Sequence, residues 1–233
     1  MHRFTKYIQF IVIIFLMNFL PQSIEAQVNN KRWDLKRYNL GFMMGLNFSD
    51  MITKTSLPYY DPDINRTLFN IEVKSKVGIS LGIITNIKIS DNFDFRFIPT
   101  VAIQQRNYRY FYKDSVEDKK LEAAYLDVPV LLRIKSNFYQ NKRVYVITGF
   151  KFSSNLVSDK KVRNNPSIIK TNPLDLTLEM GVGIDLYGER VKVCPELRYS
   201  MGLLNIYNPE NTHFGEAIHK LSSQLLTLVI NFE

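Results

Sequence analysis

Eight stretches of two-residue apolar alternation, connectors that are alternately short and long, and an N-terminal export signal predict an all-β fold. The specific expectation is an eight-stranded antiparallel transmembrane β-barrel of the bacterial outer-membrane kind, with short periplasmic turns and long extracellular loops. At 233 residues the chain is long enough for one large domain, and no linker or composition break divides it.

The first element is a leader. Arg3 and Lys6 supply a positive start, residues 8–20 are mostly apolar, and Pro21 and Gln22 break the run ahead of Ala26 and Gln27. This reads as a signal peptide over residues 1–26, cleaved between Ala26 and Gln27. The apolar run is shorter than the ~20 residues that a spanning helix needs, and Gln9 and Asn18 interrupt it. No cysteine follows the cut, so no lipid anchor is expected there. Residues 27–37, which include Trp33, are a periplasmic lead-in, and residues 38–233 are the barrel. Export removes cytoplasmic nucleic acid as a partner for a chain of net charge +8.

The strands follow in order. In residues 40–48, Leu40, Phe42, Met44, Leu46 and Phe48 share one face, with Gly41, Met43, Gly45 and Asn47 on the other. The same alternation recurs in residues 77–89, 93–103, 126–134, 144–152, 174–186 and 191–203, and in a final stretch containing Leu226, Leu228, Ile230 and Phe232. Connections 90–92, 135–143 and 187–190 are short, while 49–76, 113–124, 155–173 and 205–220 are long. A soluble barrel of lipocalin type shares this alternation. The less apolar face decides against it: Gly, Ser, Thr and Ala stand there among charges, which suits the crowded interior of a narrow barrel, and the large apolar face suits lipid.

Turn lengths suggest registers. Pairing Leu186 with Val191 makes paired residue numbers total 377 and sets Asp185 opposite Lys192 and Glu179 opposite Arg198. Pairing Ile89 with Phe93 sets Lys88 opposite Asp94, and pairing Ile134 with Val144 sets Asp127 opposite Lys151. Opposite charges placed this way stabilise a ladder by ~0.2–1 kcal/mol each, and together they predict a plugged, charge-latticed lumen. Pro99, Pro129 and Pro195 fall inside strands, where bulges or strand ends beyond the bilayer are expected. The third strand continues through Tyr108, Tyr110 and Tyr112, so it should project beyond the membrane.

Chemistry-bearing motifs are sparse. Three His and one Cys leave little for metal or His-based nucleophilic chemistry, and a single cysteine cannot form an intrachain disulfide. Gly181 and Gly183, like Gly41 and Gly45, sit at inward period-two positions where they save space. His213 and His219 share a loop without a completing ligand, and Cys194 reads as a packing residue. No cofactor is expected. A lipid-modifying enzyme using His213 or His219, and a general porin-like or structural barrel, stay as alternatives.

Several stretches carry a resemblance. Phe95-Arg96-Phe97-Ile98-Pro99 running to Gln105-Arg106-Asn107 resembles the third-strand region of the PorT family of Bacteroidota outer-membrane proteins. So do Tyr125-Leu126-Asp127-Val128-Pro129-Val130-Leu131-Leu132, Tyr145-Val146-Ile147-Thr148-Gly149-Phe150-Lys151-Phe152 and Glu179-Met180-Gly181-Val182-Gly183-Ile184-Asp185. The resemblance implies an accessory barrel of type IX secretion that has no catalytic residues and works by holding other secretion-system proteins. Trp33, Tyr108, Tyr110 and Tyr112 are the candidate contacts. The last strand, with Leu226, Leu228, Ile230 and a penultimate Phe232, is similar to the C-terminal signal read by the barrel-assembly machinery. The remaining expected partners are outer-membrane lipid and lipopolysaccharide.

Overall fold

The structure is a computed structural model that describes residues 36–55, 58–61, 66–112, 115–139, 141–156, 170–188, 191–208 and 218–233. Its strands are β1 (Tyr38–Thr55), β2 (Tyr59–Asp61), β3 (Arg66–Ser75), β4 (Val77–Lys88), β5 (Phe93–Phe97), β6 (Thr100–Tyr112) and β7 (Val116–Lys135). They continue as β8 (Lys142–Asn155), β9 (Lys170–Thr171), β10 (Leu174–Tyr187), β11 (Lys192–Gly202), β12 (Tyr207–Asn208) and β13 (Ile218–Phe232). The ladder runs β1-β13-β11-β10-β8-β7-β5-β4, and β4 pairs back onto β1 to close the ring. Because β3 leads into β4 and β5 into β6, the wall has eight staves among the described residues. Closure leaves no unpaired edge in the hydrocarbon, the condition a spanning sheet must meet.

Alternation places apolar side chains outside. Leu40, Phe42, Met44 and Leu46 are 47–71% exposed, whereas Asn39, Met43 and Asn47 on the alternate face are buried. From Tyr38 to Phe48 the strand climbs about 25 Å at ~3.3 Å per residue and a tilt near 40°, the height of a membrane-facing band. Polar and charged residues outnumber apolar ones among those buried. A soluble barrel with an apolar interior has the opposite arrangement, so the lipocalin reading falls.

The prolines correct one expectation, because no bulge forms at them. Phe97 pairs with Val130 and Thr100 with Asp127, so the register of β7 is the same on both sides of Ile98 and Pro99. Likewise Gly183 pairs with Glu196 and Leu186 with Val193, one register across Pro195. Each proline removes one ladder donor, and neighbours make good part of the loss. The Ile98 N–H still donates to the Pro129 carbonyl at 3.2 Å. The Thr100 hydroxyl donates to the Ile98 carbonyl at 2.8 Å, which is the acceptor a residue with an N–H at position 129 would have served. The register slips elsewhere. Ser75 pairs with Arg106 but Ile79 with Ile103, a one-residue offset at Lys76, and further shifts lie between Lys54 and Thr55 and between Leu68 and Asn70. All three lie at the extracellular end.

Beyond the belt β6 and β7 continue together from Gln104–Ala123 pairing to Phe111–Val116 pairing, with β3 on the other side of β6. The projecting hairpin contains Tyr108 opposite Lys119 and Tyr110 opposite Glu117, and Tyr112 pairs with Leu68 of β3. A two-stranded β9–β12 sheet lies at the same end. At the other end Arg143 ties two turns together, donating to the carbonyls of Ser136 and Asp91. Lys88 grips Asp91 at 2.6 Å in that turn, and this contact holds the exposed Asp91 carboxyl below its ordinary range.

A closed ladder of this kind resists SDS until heated. The folded chain, extracted in detergent, should therefore migrate differently on gels before and after boiling; identical mobility, or full solubility after cell lysis, would contradict the ring.

Candidate functional site

The lumen is the candidate site, because inward parity gathers there nearly every side chain with chemistry. Arg96 leaves β5 and reaches the far wall, where it pairs with Glu196 of β11, and its second nitrogen meets Glu233 at 2.6 Å. Three staves lie between β5 and β11 in either direction round the ring, so this contact spans the full diameter. Glu196 also accepts from Arg198, at 2.7 Å from Nε, and from the Tyr145 hydroxyl. Arg198 continues to Glu179 at 3.3 Å, and Lys151 approaches the same carboxylate at 3.8 Å. Lys192 completes the second side of Glu233.

A second cluster lies beside the first. Asp94 meets Lys135 at 2.6 Å and Arg133 at 3.5 Å, and Arg133 also pairs with Asp185. Asn86 joins the clusters: its amide donates to Asp94 at 3.3 Å and its carbonyl accepts from Arg96 Nε at 3.4 Å. The Arg133 guanidinium stacks 3.8 Å from the Tyr145 ring centre. Gly183 makes room for that ring, since a Cβ there would collide with the Tyr145 hydroxyl end and with Glu196. The charges are fully desolvated, so their arrangement, more than their number, determines whether they stabilise.

The four expected pairs fare differently. Lys88 does stand opposite Asp94 in the β4–β5 ladder, although Asp94 is held by Arg133 and Lys135 and Lys88 reaches Asp91. Between β10 and β11 the register is two residues from the expected one, with paired numbers totalling 379. Glu179 is therefore opposite Ser200 and Arg198 opposite Gly181, and the Glu179–Arg198 contact forms on the diagonal. Asp185 is drawn to Arg133, and Lys192 to Glu233. The β7–β8 register is also displaced by two, setting Asp127 opposite Ser153 and Lys151 opposite Pro129. In both cases the turn takes a different number of residues from the expected one, yet an even displacement keeps each side chain on its face.

Other candidates are placed as follows. Cys194 is wholly buried. Leu226, Leu228 and Ile230 face outward on the last strand, and Phe232 is half-buried beside the inward Glu233. Ala26, Gln27, Trp33 and His213 lie outside the described residues; of Tyr108, Tyr110, Tyr112 and His219 only the backbone is described. Among the described residues no three His, Cys, Asp or Glu side chains gather as a metal cluster. Sequence reasoning missed Arg96, Arg133, Lys135, Glu196 and Glu233. Their inward parity was readable, but it sought partners only on adjacent strands.

Glu196 is the hub, and substitution should rank accordingly. Glu196→Ala leaves Arg96 with Glu233 alone and Arg198 with Glu179 alone, removes the acceptor of the Tyr145 hydroxyl, and should cost about 3–5 kcal/mol. Glu179→Ala should cost less, because Arg198 keeps Glu196 and Lys151 keeps the Ser200 hydroxyl at 3.2 Å. Urea unfolding in detergent reads both, and the reverse order would refute the network as drawn.

The comparisons accord with this architecture. The family described as outer membrane protein beta-barrel domain matches residues 25–208, most of the chain. No curated protein matches it. Among solved structures, the crystal structure of OprG from Pseudomonas aeruginosa is 14% identical over 84% of this chain and 94% of its own, with a TM-score of 0.50. AlkL, solved by solid-state NMR in DMPC bilayers, is 12% identical over 91% of this chain and 96% of its own, with a TM-score of 0.42. The likeness to OprG is one of fold. The chain belongs to the outer membrane protein beta-barrel domain family, and its place is the outer membrane.

Proposed function

We propose that this barrel is a non-enzymatic accessory of type IX protein secretion, of the PorT kind, acting by contact with partner proteins and not by conduction. The observation that carries the reading is the crossing of the lumen by Arg96, Glu196, Arg198 and Glu179, which leaves no bore for a polypeptide. The strand motifs that resemble PorT support the choice of system. With the interior closed, partners must engage the rims: the projecting β3–β6–β7 wall with Tyr108, Tyr110 and Tyr112, the long extracellular connections, or the lead-in with Trp33 left after cleavage at Ala26. Leu226, Leu228, Ile230 and Phe232 serve assembly into the membrane, where lipopolysaccharide surrounds the outer rim.

The second reading is a small general barrel, porin-like or structural, and a cavity in the extracellular half of the lumen favours it. Deleting the gene separates the two. Accumulation in the periplasm of proteins bearing type IX sorting domains supports the accessory role, while normal export refutes it. Within that role, shortening the 205–217 connection or Trp33→Ala should block export while the barrel still assembles and remains heat-modifiable. Steady large conductance from purified protein in planar bilayers would overturn the closed lumen and promote the channel.

A further inference from the structure

On the extracellular side β11 ends at Gly202, while β13 runs on beside β1 as far as the Thr55–Ile218 pairing. Residues 203–208 fill the place that β11 leaves, but not as a strand of the wall. Gly202 makes the departure possible: a Cβ there would stand 2.8 Å from the Ser223 nitrogen and 3.0 Å from its carbonyl oxygen. Continued in register from Met201 opposite Gln224, the chain would bring Leu204 opposite Leu221. Instead the Ile206 N–H donates to the Leu221 carbonyl at 3.0 Å, and the Leu221 N–H donates to the Asn205 side-chain oxygen at 2.9 Å. The same oxygen accepts from the Tyr207 N–H at 3.2 Å.

This carries the segment over the lumen. Ile206 and Tyr207 are buried, and Ile206 lines the outer lumen cavity together with Gln104 and Tyr125. Gln104 belongs to β6, on the stave opposite β11, so the segment and the far wall enclose one space. Beyond it the Ile206 carbonyl accepts from the Asn172 N–H at 2.7 Å, and Tyr207 and Asn208 pair with Thr171 and Lys170 in the β9–β12 sheet. Two extracellular connections are thereby joined above the cavity. That cavity, about 480 Å³ with its open part, is polar beneath Ile206, with Lys151, Ser153, Asp175, Thr177 and Ser200 in its wall.

The segment is lightly held. Leu203 and Leu204 are 44% and 45% exposed, which leaves Ile206 as the apolar contact that seats it over the cavity. Asn205 is exposed, so water competes for the oxygen that holds Leu221 and Tyr207. None of these bonds belongs to the closed ladder of eight staves, and releasing them leaves the ring and its ion pairs in place. A segment with few buried contacts and solvent-exposed hydrogen bonds opens locally, well before the whole fold does.

We infer that residues 203–208 are an extracellular lid on the upper lumen, latched by Asn205 and seated by Ile206. Lifted, it opens the polar cavity to the outside, while Arg96, Glu196 and Arg198 keep the barrel sealed below. The inference is independent of the secretion reading.

The test measures access to the cavity in the full mature chain, refolded in detergent. Thr177, 3% exposed in the cavity wall, is changed to Cys, and its labelling by a methanethiosulfonate reagent is timed by mass spectrometry. The chain without that change supplies the background, since its Cys194 is wholly buried. Thr177→Cys should label slowly beside Ser136→Cys in the exposed periplasmic turn. Adding Asn205→Ala should speed its labelling by about tenfold or more, because two backbone donors lose their acceptor. Asn205→Asp, which keeps an acceptor oxygen, should leave the rate slow. Heat-modifiable mobility confirms the ring in each variant, and Ile206→Ser replaces Asn205→Ala under the same criterion if that chain does not refold. Labelling of Thr177→Cys as fast as Ser136→Cys, or an unchanged rate on unlatching, overturns the proposal. So does labelling of Cys194 in the unlatched chain, which would mean that the whole barrel has loosened.

Discussion

Arg96 joins two walls that the backbone ladder never brings into contact. Hydrogen bonds along the ring fix each stave to its neighbours, but they leave the cross-section free to flatten. The guanidinium from β5, held by Glu196 of β11 and by Glu233, sets the distance between opposite walls. Removing any one of these charges leaves its partners short of a counter-charge in a dry interior, and that asymmetry makes the network mutually enforcing. The apolar exterior cannot do this, since lipid tails are as apolar as the side chains that meet them.

The network also dictates which small residues stand where. Tyr145 must lie flat enough to receive Arg133 on its face and still present its hydroxyl to Glu196, so the wall opposite its edge must be thin. Gly183 supplies that thinness. The same logic governs the floor, where Arg143 spends its donors on turn carbonyls and lies over the Phe138 ring. Glycine, hydroxyl and charge on the inner face are therefore one design.

Much of this was legible in the sequence for a simple reason. A period of two is a covalent property of extended chain, so strand number, face and sidedness could be read from Leu40 to Phe232 without knowing any contact. Register was legible only where the turn is minimal. The three-residue turn before Phe93 yields the observed Lys88–Asp94 pairing, whereas the turns before β8 and β11 leave Asp127 and Glu179 displaced by two. Partners across the lumen were not legible, because no local rule links Arg96 to a glutamate one hundred residues away. Glu233 shows the same limit. The strand's aromatic is penultimate because alternation turns Phe232 outward and Glu233 in toward Arg96 and Lys192.

The closed interior divides the molecule unevenly. Toward the periplasm the lattice is dense, with Asp94, Glu196 and Glu233 each shared between two cations; toward the outside, Lys151 and Arg198 point back into the lattice and leave Asp127 and Asp175 facing the cavities. The wall is uneven as well, since β6 and β7 run on together past the belt whereas β8 and β11 stop at Asn155 and Gly202. A barrel built only to fill membrane needs neither asymmetry. A tall wall on one side offers a directional surface for another protein, and a lumen sealed from below keeps the cavities in exchange with one compartment.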